Sequence, residues 1–318
     1  MINERRPQIE QPEELKEERG HNTEIRFTFV RHSQKASGQV FAEGIQGLST
    51  SSISETGKQR AETYGKSQLA GRKITKAYAT AIDRTKETLT SVFQAAEVNP
   101  NILQRSETTQ AFFSLPALAA SKKFMQQYDA IMLPKRQQYI DEHYSGKKFD
   151  ELPPDEQEAA AEYAEEPALE WYLSFGDKRP DEETPSPREQ AASVAFKINR
   201  LVHLPDYMPG GKSINLVSSG HKTSTEAFLK YAIEREKNKE SVVGFENLEE
   251  IGGSLKILDS WDLRIQNDNQ GEKQVTIILR RENGETQEYK LNIPALTELA
   301  KEYIKANNIK PKKVDSLQ

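Results

Sequence analysis

Three apolar runs in this chain end on side chains that bind or attack phosphorus. The first is Ile25-Arg-Phe-Thr-Phe-Val-Arg31-His32-Ser33 and the second is Ile214-Asn-Leu-Val-Ser-Ser-Gly220-His221-Lys222. The third, Ala77-Tyr-Ala-Thr-Ala-Ile-Asp83-Arg84, delivers an arginine in the same way. Each run has strand character, and open α/β sheets gather their sites at the carboxyl ends of strands, near a topological switch point. If the runs are neighbouring strands, Arg31, His32, Arg84 and His221 converge on a phosphate pocket with a nucleophile built into it.

The elements that must position these residues alternate. A strand over Ile25 to Val30 is followed by a polar loop to Ser52. A helix then starts after Ser54, a good N-cap, and runs to about Gly71. The next strand, about Lys76 to Ile82, leads into Arg84 and a helix to about Ala96; Asn99-Pro100-Asn101 makes a turn before a short strand at Ile102-Leu103. Residues 114–181 change character: they carry helical periodicity and high charge over Ala117–Tyr128, Ile131–Tyr144 and Pro154–Phe175. Glu189–Leu204 is an amphipathic helix with Val194, Ile198, Leu201 and Val202 on one face. Strand Ser213–Ser218 and helix Thr223–Glu236 complete a βα unit. Asn283-Gly284 between two alternating runs marks a hairpin, and helix Pro294–Ala306 follows.

This order predicts an α/β fold, a three-layer αβα sandwich with a mainly parallel sheet, a helical cap insertion at about 114–181 and a C-terminal β-hairpin that extends or edges the sheet. The expected organisation is a flexible arm over 1–22 and a single domain over 23–310. The large apolar residues of 114–181 are too few for a separate core.

Composition narrows the function. The chain has 318 residues and a net charge of −5 with no basic run, which argues against nucleic acid as a partner. Cysteine is absent, which removes disulfides, a thiol nucleophile and Cys-ligated zinc. There is no His-x-x-x-His or carboxylate cluster at ligand spacing, so neither a metal nor any other cofactor is expected. The N-terminus lacks a signal-peptide core and no run approaches a membrane span, so we expect no membrane partner and a cytoplasmic protein. The acidic stretch Glu151 to Glu166 reads as a solvated helix face. Ser218-Ser219-Gly220-His221 lacks Gly-x-Ser-x-Gly, and Gly210-Gly211-Lys212-Ser213 lacks the earlier glycine of a P-loop and precedes its strand. His21, His143 and His203 have no partners that the sequence can supply.

Taken together, four segments resemble the histidine phosphatase superfamily, the group of the phosphoglycerate mutases. They are Arg31-His32-Ser33, where the family usually has glycine third; Ile53-Ser54-Glu-Thr-Gly57-Lys-Gln-Arg60-Ala61; Thr80-Ala-Ile82-Asp-Arg84-Thr85-Lys-Glu-Thr88-Leu89; and Ser219-Gly220-His221, where the family has Ser-His-Gly. They occur in family order and span residues 25–230.

The resemblance implies a phosphohistidine on His32, later hydrolysed by water. Arg31 and Arg84 would fork onto phosphate oxygens, with Ser33 and His221 completing the phosphate-binding set. His32 would attack in line, its other ring nitrogen donating to a backbone carbonyl. His221 is expected to be protonated beside the dianion. The family's proton donor usually follows the third strand, which selects Glu107; Glu87, on the helix after Arg84, is the weaker candidate. Lys222 stands where the acid-phosphatase and phytase branch has its aspartate, which argues against that branch. The expected activity is a phosphatase acting on a phosphorylated small molecule or phosphoprotein. The alternatives are a phosphomutase, which must exclude water from its intermediate, and a catalytically impaired phospho-ligand or protein-binding module.

Overall fold

The computed structural model describes residues 19–36, 52–105 and 118–309. Along the chain these form β1 (Thr23–Arg31), α1 (Glu55–Tyr64), β2 (Lys76–Ala79), α2 (Asp83–Ala95), β3 (Leu103–Arg105), α3 (Lys122–His143), α4 (Pro154–Ser174), α5 (Pro187–His203), β4 (Ser213–Gly220), α6 (Lys222–Ala232), β5 (Ile233–Lys237), β6 (Glu240–Val243), β7 (Ser260–Asn267), β8 (Lys273–Arg280), β9 (Thr286–Leu291) and α7 (Ile293–Ala306). The strands make one sheet in the order β3-β2-β4-β1-β7-β8-β9-β5-β6.

The sheet is mixed, which corrects the expectation of a mainly parallel one. Only β3, β2, β4 and β1 run parallel; β1–β7, β7–β8, β8–β9, β9–β5 and β5–β6 are antiparallel. The reason lies in the connections. The turns over 268–272 and 281–285 are short, and a parallel return needs a crossover of roughly a dozen residues or more. The Asn283-Gly284 turn joins β8 to β9, with Gly284 at φ 92°. This hairpin lies inside the sheet, and β6 forms the edge. The helix expected to reach Glu236 stops at Ala232, and the chain continues as β5. Asn238 and Lys239 both take positive φ, 55° and 68°, as the two-residue turn between β5 and β6 requires.

Helices cover both faces. Ile25, Phe27 and Phe29 of β1 point into the larger core, shared with α5, α6 and α7. Val30, Ala77, Ala79 and Val217 point into a smaller one under α1 and α2. The α5 face expected from its spacing is buried, with Val194, Ile198 and Leu201 at 0% exposure. Ser186 and Glu189 form a capping box at its start.

The first two helical stretches expected in the insertion are one helix, α3, with Pro134 inside it. Phe124 and Tyr128 of α3 and Leu169, Tyr172 and Leu173 of α4 belong to the larger core, so the pair shares its apolar interior with the sheet. Residues 19–22 of the expected arm are held against the domain. Residues 1–18 lie outside the described residues, but Gly20 N donates to Met208 O (3.0 Å) and Asn22 N to Asp268 O (2.9 Å). No helix among the described residues is long and apolar enough to cross a membrane.

The start of α1 meets the loop that carries His32. Ser54 caps the helix, its side chain accepting from Gly57 N and donating to Gln34 Oε1. Gly57 sits so close to this loop that a Cβ there would lie 2.7 Å from Gln34 O and 3.1 Å from Ser33 Oγ. Gly57→Ala must therefore push the loop away, and we expect it to lose about 1–3 kcal/mol of stability by denaturant unfolding. A variant as stable as the parent would show that the loop has room the packing denies.

Candidate active site

β2, β4 and β1 are consecutive neighbours, and their carboxyl ends deliver the expected residues to one place. Register aligns Arg31 with Gly220, so His32 and His221 leave adjacent strands side by side. Their ring centroids are 5.2 Å apart at an interplanar angle of 61°. Arg84 enters from the first turn of α2, and its Nη2 donates to His221 Nδ1 at 3.3 Å. Arg31, His32, Arg84 and His221 are therefore brought together. α2 and α6 both start at this end of the sheet, where helix N-termini favour an anion.

His32 is fixed as an in-line nucleophile must be. Its Nδ1 lies 2.9 Å from Ser33 O, so this nitrogen carries the proton and Nε2 keeps its lone pair. Burial, and then Arg84, His221 and Arg31, push its pKa well below 6.5. His221 is held in the opposite tautomer. Arg84 has only donors, so His221 Nδ1 accepts and the ring is neutral, with its proton on Nε2 facing Thr80 Oγ1 at 3.5 Å. Burial followed by Arg84, Lys35 and Arg31 drives its pKa well below 6.5 as well.

Ser33 departs from expectation. Its hydroxyl donates to Gly57 O at 2.6 Å and its backbone N–H to Thr88 Oγ1 at 2.9 Å. Fully buried, it ties the loop to α1 and α2 rather than facing an anion. Glu107 lies outside the described residues. Glu87 accepts from Ser52 Oγ and Ile53 N, and so anchors the far end of the loop.

The insertion supplies residues that the sequence reading missed. Arg31 Nη1 donates to Leu255 O (2.6 Å) and to Glu162 (3.3 Å), and its Nη2 to Glu165 (3.1 Å). Burial opposes the charge on Arg31, but Glu165 and Glu162 outweigh it and raise its pKa. Glu165 also takes Lys222 Nζ at 2.7 Å, where Lys222 is only 3% exposed. The surrounding chain partly desolvates Lys35, which still reaches the surface, and with Arg84 brings it down to about 8; burial and Arg31 bring Arg84 down to about 10. Cations pushed this way sit where positive charge is in excess, and an anion would restore them. Lys35 had a signal, three residues after His32 in the same loop. Glu165 had none, since its nearness to Arg31 depends on how α4 packs.

Glu226 of α6 is the other buried carboxyl here. Its Oε1 accepts from Leu255 N at 2.6 Å, and Oε2 has no partner among the described residues. Burial raises its pKa to about 7, against the pull of Lys222.

The residues form a buried, positively charged pocket around two neutral histidines. No family model and no curated protein matches the chain. Among solved structures it is similar to a mycobacterial glucosyl-3-phosphoglycerate phosphatase, at 14% identity over 79% of this chain and 97% of that one, with TM-score 0.42. It is also similar to a phosphoglycerate mutase from Bacillus anthracis, at 13% identity over 88% and 98%, TM-score 0.41. A Klebsiella phytase matches at 11% identity over 88% and 94%, TM-score 0.44. These three are members of the histidine phosphatase superfamily.

Two measurements check the electrostatics. In imidazole NMR at pH 6.5, His32 should be the neutral Nδ1–H tautomer and His221 the neutral Nε2–H tautomer; a half-protonated ring at either position would contradict the geometry. Glu226, whose folded pKa lies above its unfolded value, is stabilised while protonated. That stability falls as pH rises from about 4.5 to about 7. Glu226→Gln should therefore melt at higher temperature than the parent at pH 8, by up to about 3 kcal/mol in stability, and match it below pH 4.5. A pH-independent difference would refute the assignment.

Proposed function

We propose that this protein is a phosphatase that hydrolyses phosphomonoesters through a phosphohistidine on His32. The observation that carries this reading is the tautomer-locked His32, its Nε2 free, placed 5.2 Å from His221 and beside Arg84 at the ends of three adjacent strands. Arg84 and Lys35 hold the phosphoryl oxygens, and Arg31 turns part of its fork toward them. His221, neutral in the empty site, presents a ring that gains a proton or a hydrogen bond as the dianion settles. Charge develops on the transferring group among buried side chains, where fixed donors act more strongly than water does.

His32 attacks phosphorus through Nε2, the ester oxygen leaves with a proton, and water then frees inorganic phosphate. The phosphatase reading is preferred over a mutase because the sequence carries no phosphoglycerate mutase signature beyond the core motifs. The substrate is a phosphorylated small molecule or a phosphoprotein.

The test is a rapid quench with p-nitrophenyl phosphate followed by mass spectrometry of the base-quenched protein. One phosphoryl group should be found on His32, and His32→Ala should be folded and without turnover. Undiminished turnover in that variant would refute the mechanism. A phosphoenzyme that reacts with added sugar alcohols far faster than with water would identify a mutase.

A further inference from the structure

Resting on the phosphatase reading, we infer that Glu165, carried by the inserted helix α4, is the proton donor of this site and takes up its proton as the phosphate enters.

Glu165 already stands on cations that a phosphate needs. Its Oε2 is 3.1 Å from Arg31 Nη2 and 2.7 Å from Lys222 Nζ, next to His221 in the chain. An arriving dianion must share these cations with it. The carboxylate cannot readily withdraw, because α4 is pinned along its length. Glu158 pairs with Arg60; Glu162, Glu166 and Glu170 accept from Ile257 N (2.8 Å), Ser254 N (2.9 Å) and Leu248 N (3.1 Å). Ala160, Ala164 and Ala168 on the same helix are fully buried. Two anions held on the same cations are relieved by one proton, and the Glu165 side chain is 29% exposed, enough for that proton to arrive from water.

The charges facing Glu165 come from every side. Arg31 and Lys35 reach it from the end of β1, Lys222, Glu226 and His221 from α6 and its start, Arg84 from α2, Tyr128 from α3 and Glu162 from its own helix. Without an anion, burial opposes its charge but Lys222, Arg31 and Lys35 prevail and hold its pKa down to about 2. A dianion among the same groups reverses the balance, since a like charge raises a carboxyl pKa. Glu162 is less available because it holds the Ile257 N–H, and Glu226 because it is fully buried, with no exposed surface to exchange its proton with water.

The proton then has a complete path. In the first step the His32 Nε2–P bond forms and the P–O ester bond breaks, and the leaving oxygen takes the proton from Glu165. In the second, Glu165 removes a proton from water as its oxygen bonds to phosphorus; the N–P bond breaks and its electron pair returns to Nε2. Phosphate departs and Glu165 releases its proton to solvent, so the sum is ester plus water giving alcohol plus phosphate.

Calorimetry of tungstate binding at about pH 8, in buffers of different ionisation enthalpy, reads the proton uptake. The parent should take up about one proton more than Glu165→Gln, while Glu166→Gln, which breaks a docking contact only, should behave like the parent. Glu165→Gln should also slow an alkyl phosphate by roughly 10²-fold while leaving p-nitrophenyl phosphate nearly unchanged. Should that variant unfold, Glu165→Asp should keep the proton uptake with a reduced alkyl rate. Equal uptake in parent and Glu165→Gln, with an unchanged alkyl-to-aryl ratio, overturns the inference. So does a selective alkyl loss in Glu107→Gln with none in Glu165→Gln. Neither result touches the phosphohistidine, which His32→Ala tests by itself.

Discussion

Everything at this site follows from the difficulty of keeping several cations together out of water. Arg31, Arg84 and Lys222 are each less than one-tenth exposed, and burying a charge without a partner is prohibitive. Arg31 is tolerated because Glu162, Glu165 and the Leu255 carbonyl surround its fork, and Lys222 because Glu165 meets it. Arg84 and Lys35 have a weaker balance, and their lowered pKa values record it. A pocket built this way is balanced by its own carboxylates, with Arg84 and Lys35 left the least compensated. The carboxylates of α4 thus belong to the electrostatics of the phosphate site as much as to the packing of the insertion.

The same helix ties the two halves of the sheet's upper surface together. Glu162, Glu166 and Glu170 accept backbone N–H groups from the segment between β6 and β7, while Glu158 meets Arg60 on α1. Arg281 reinforces that segment from below, donating to Ile251, Gly253 and Ser254 carbonyls and to Asp259. Charge-assisted bonds of this type are stronger than neutral ones and hold geometry as well as energy. The irregular segment is positioned by side chains from both sides, and it in turn delivers the Leu255 carbonyl to Arg31.

What the sequence disclosed were the three strands that carry their own chemistry. An apolar run ending in Arg31-His32, Asp83-Arg84 or Gly220-His221 combines a local element with a reactive terminus, and neither needs tertiary information. The Ser54 cap and the buried face of α5 were legible for the same reason. The antiparallel half was not. β5 reads Ile-Glu-Arg-Glu-Lys, charged enough to pass for the end of a helix, and becomes a strand because β6 and β9 offer it backbone partners on its two sides. The acidic stretch was read as a solvated face, yet Glu158, Glu162, Glu166 and Glu170 recur every four residues and form a docking stripe. Their spacing was visible; the N–H groups that Glu162, Glu166 and Glu170 bind belong to a segment about 90 residues away. Ser33 was assigned to the anion from its place beside His32, and its hydroxyl proved to serve the contact with Gly57. Glu107, also chosen from the sequence, lies outside the described residues.

The place of β1 in the sheet has a consequence for how the molecule is made. This early strand lies between β4 and β7, pairing residue for residue from Glu24↔Ser213 to Arg31↔Gly220 on one side and from Thr23↔Asn267 to Val30↔Ser260 on the other. Its partners are synthesised some 190 and 240 residues later, and contacts so distant in sequence form slowly because the loop must close first. While the ribosome is still working, the strand that bears the nucleophile has nothing to pair with, and its Ile25, Phe27 and Phe29 are exposed. β7, β8 and β9, by contrast, can zip up locally as they emerge. No nascent chain that stops before β7 can hold β1 between both neighbours, so the pocket around His32 assembles only after β7 has emerged.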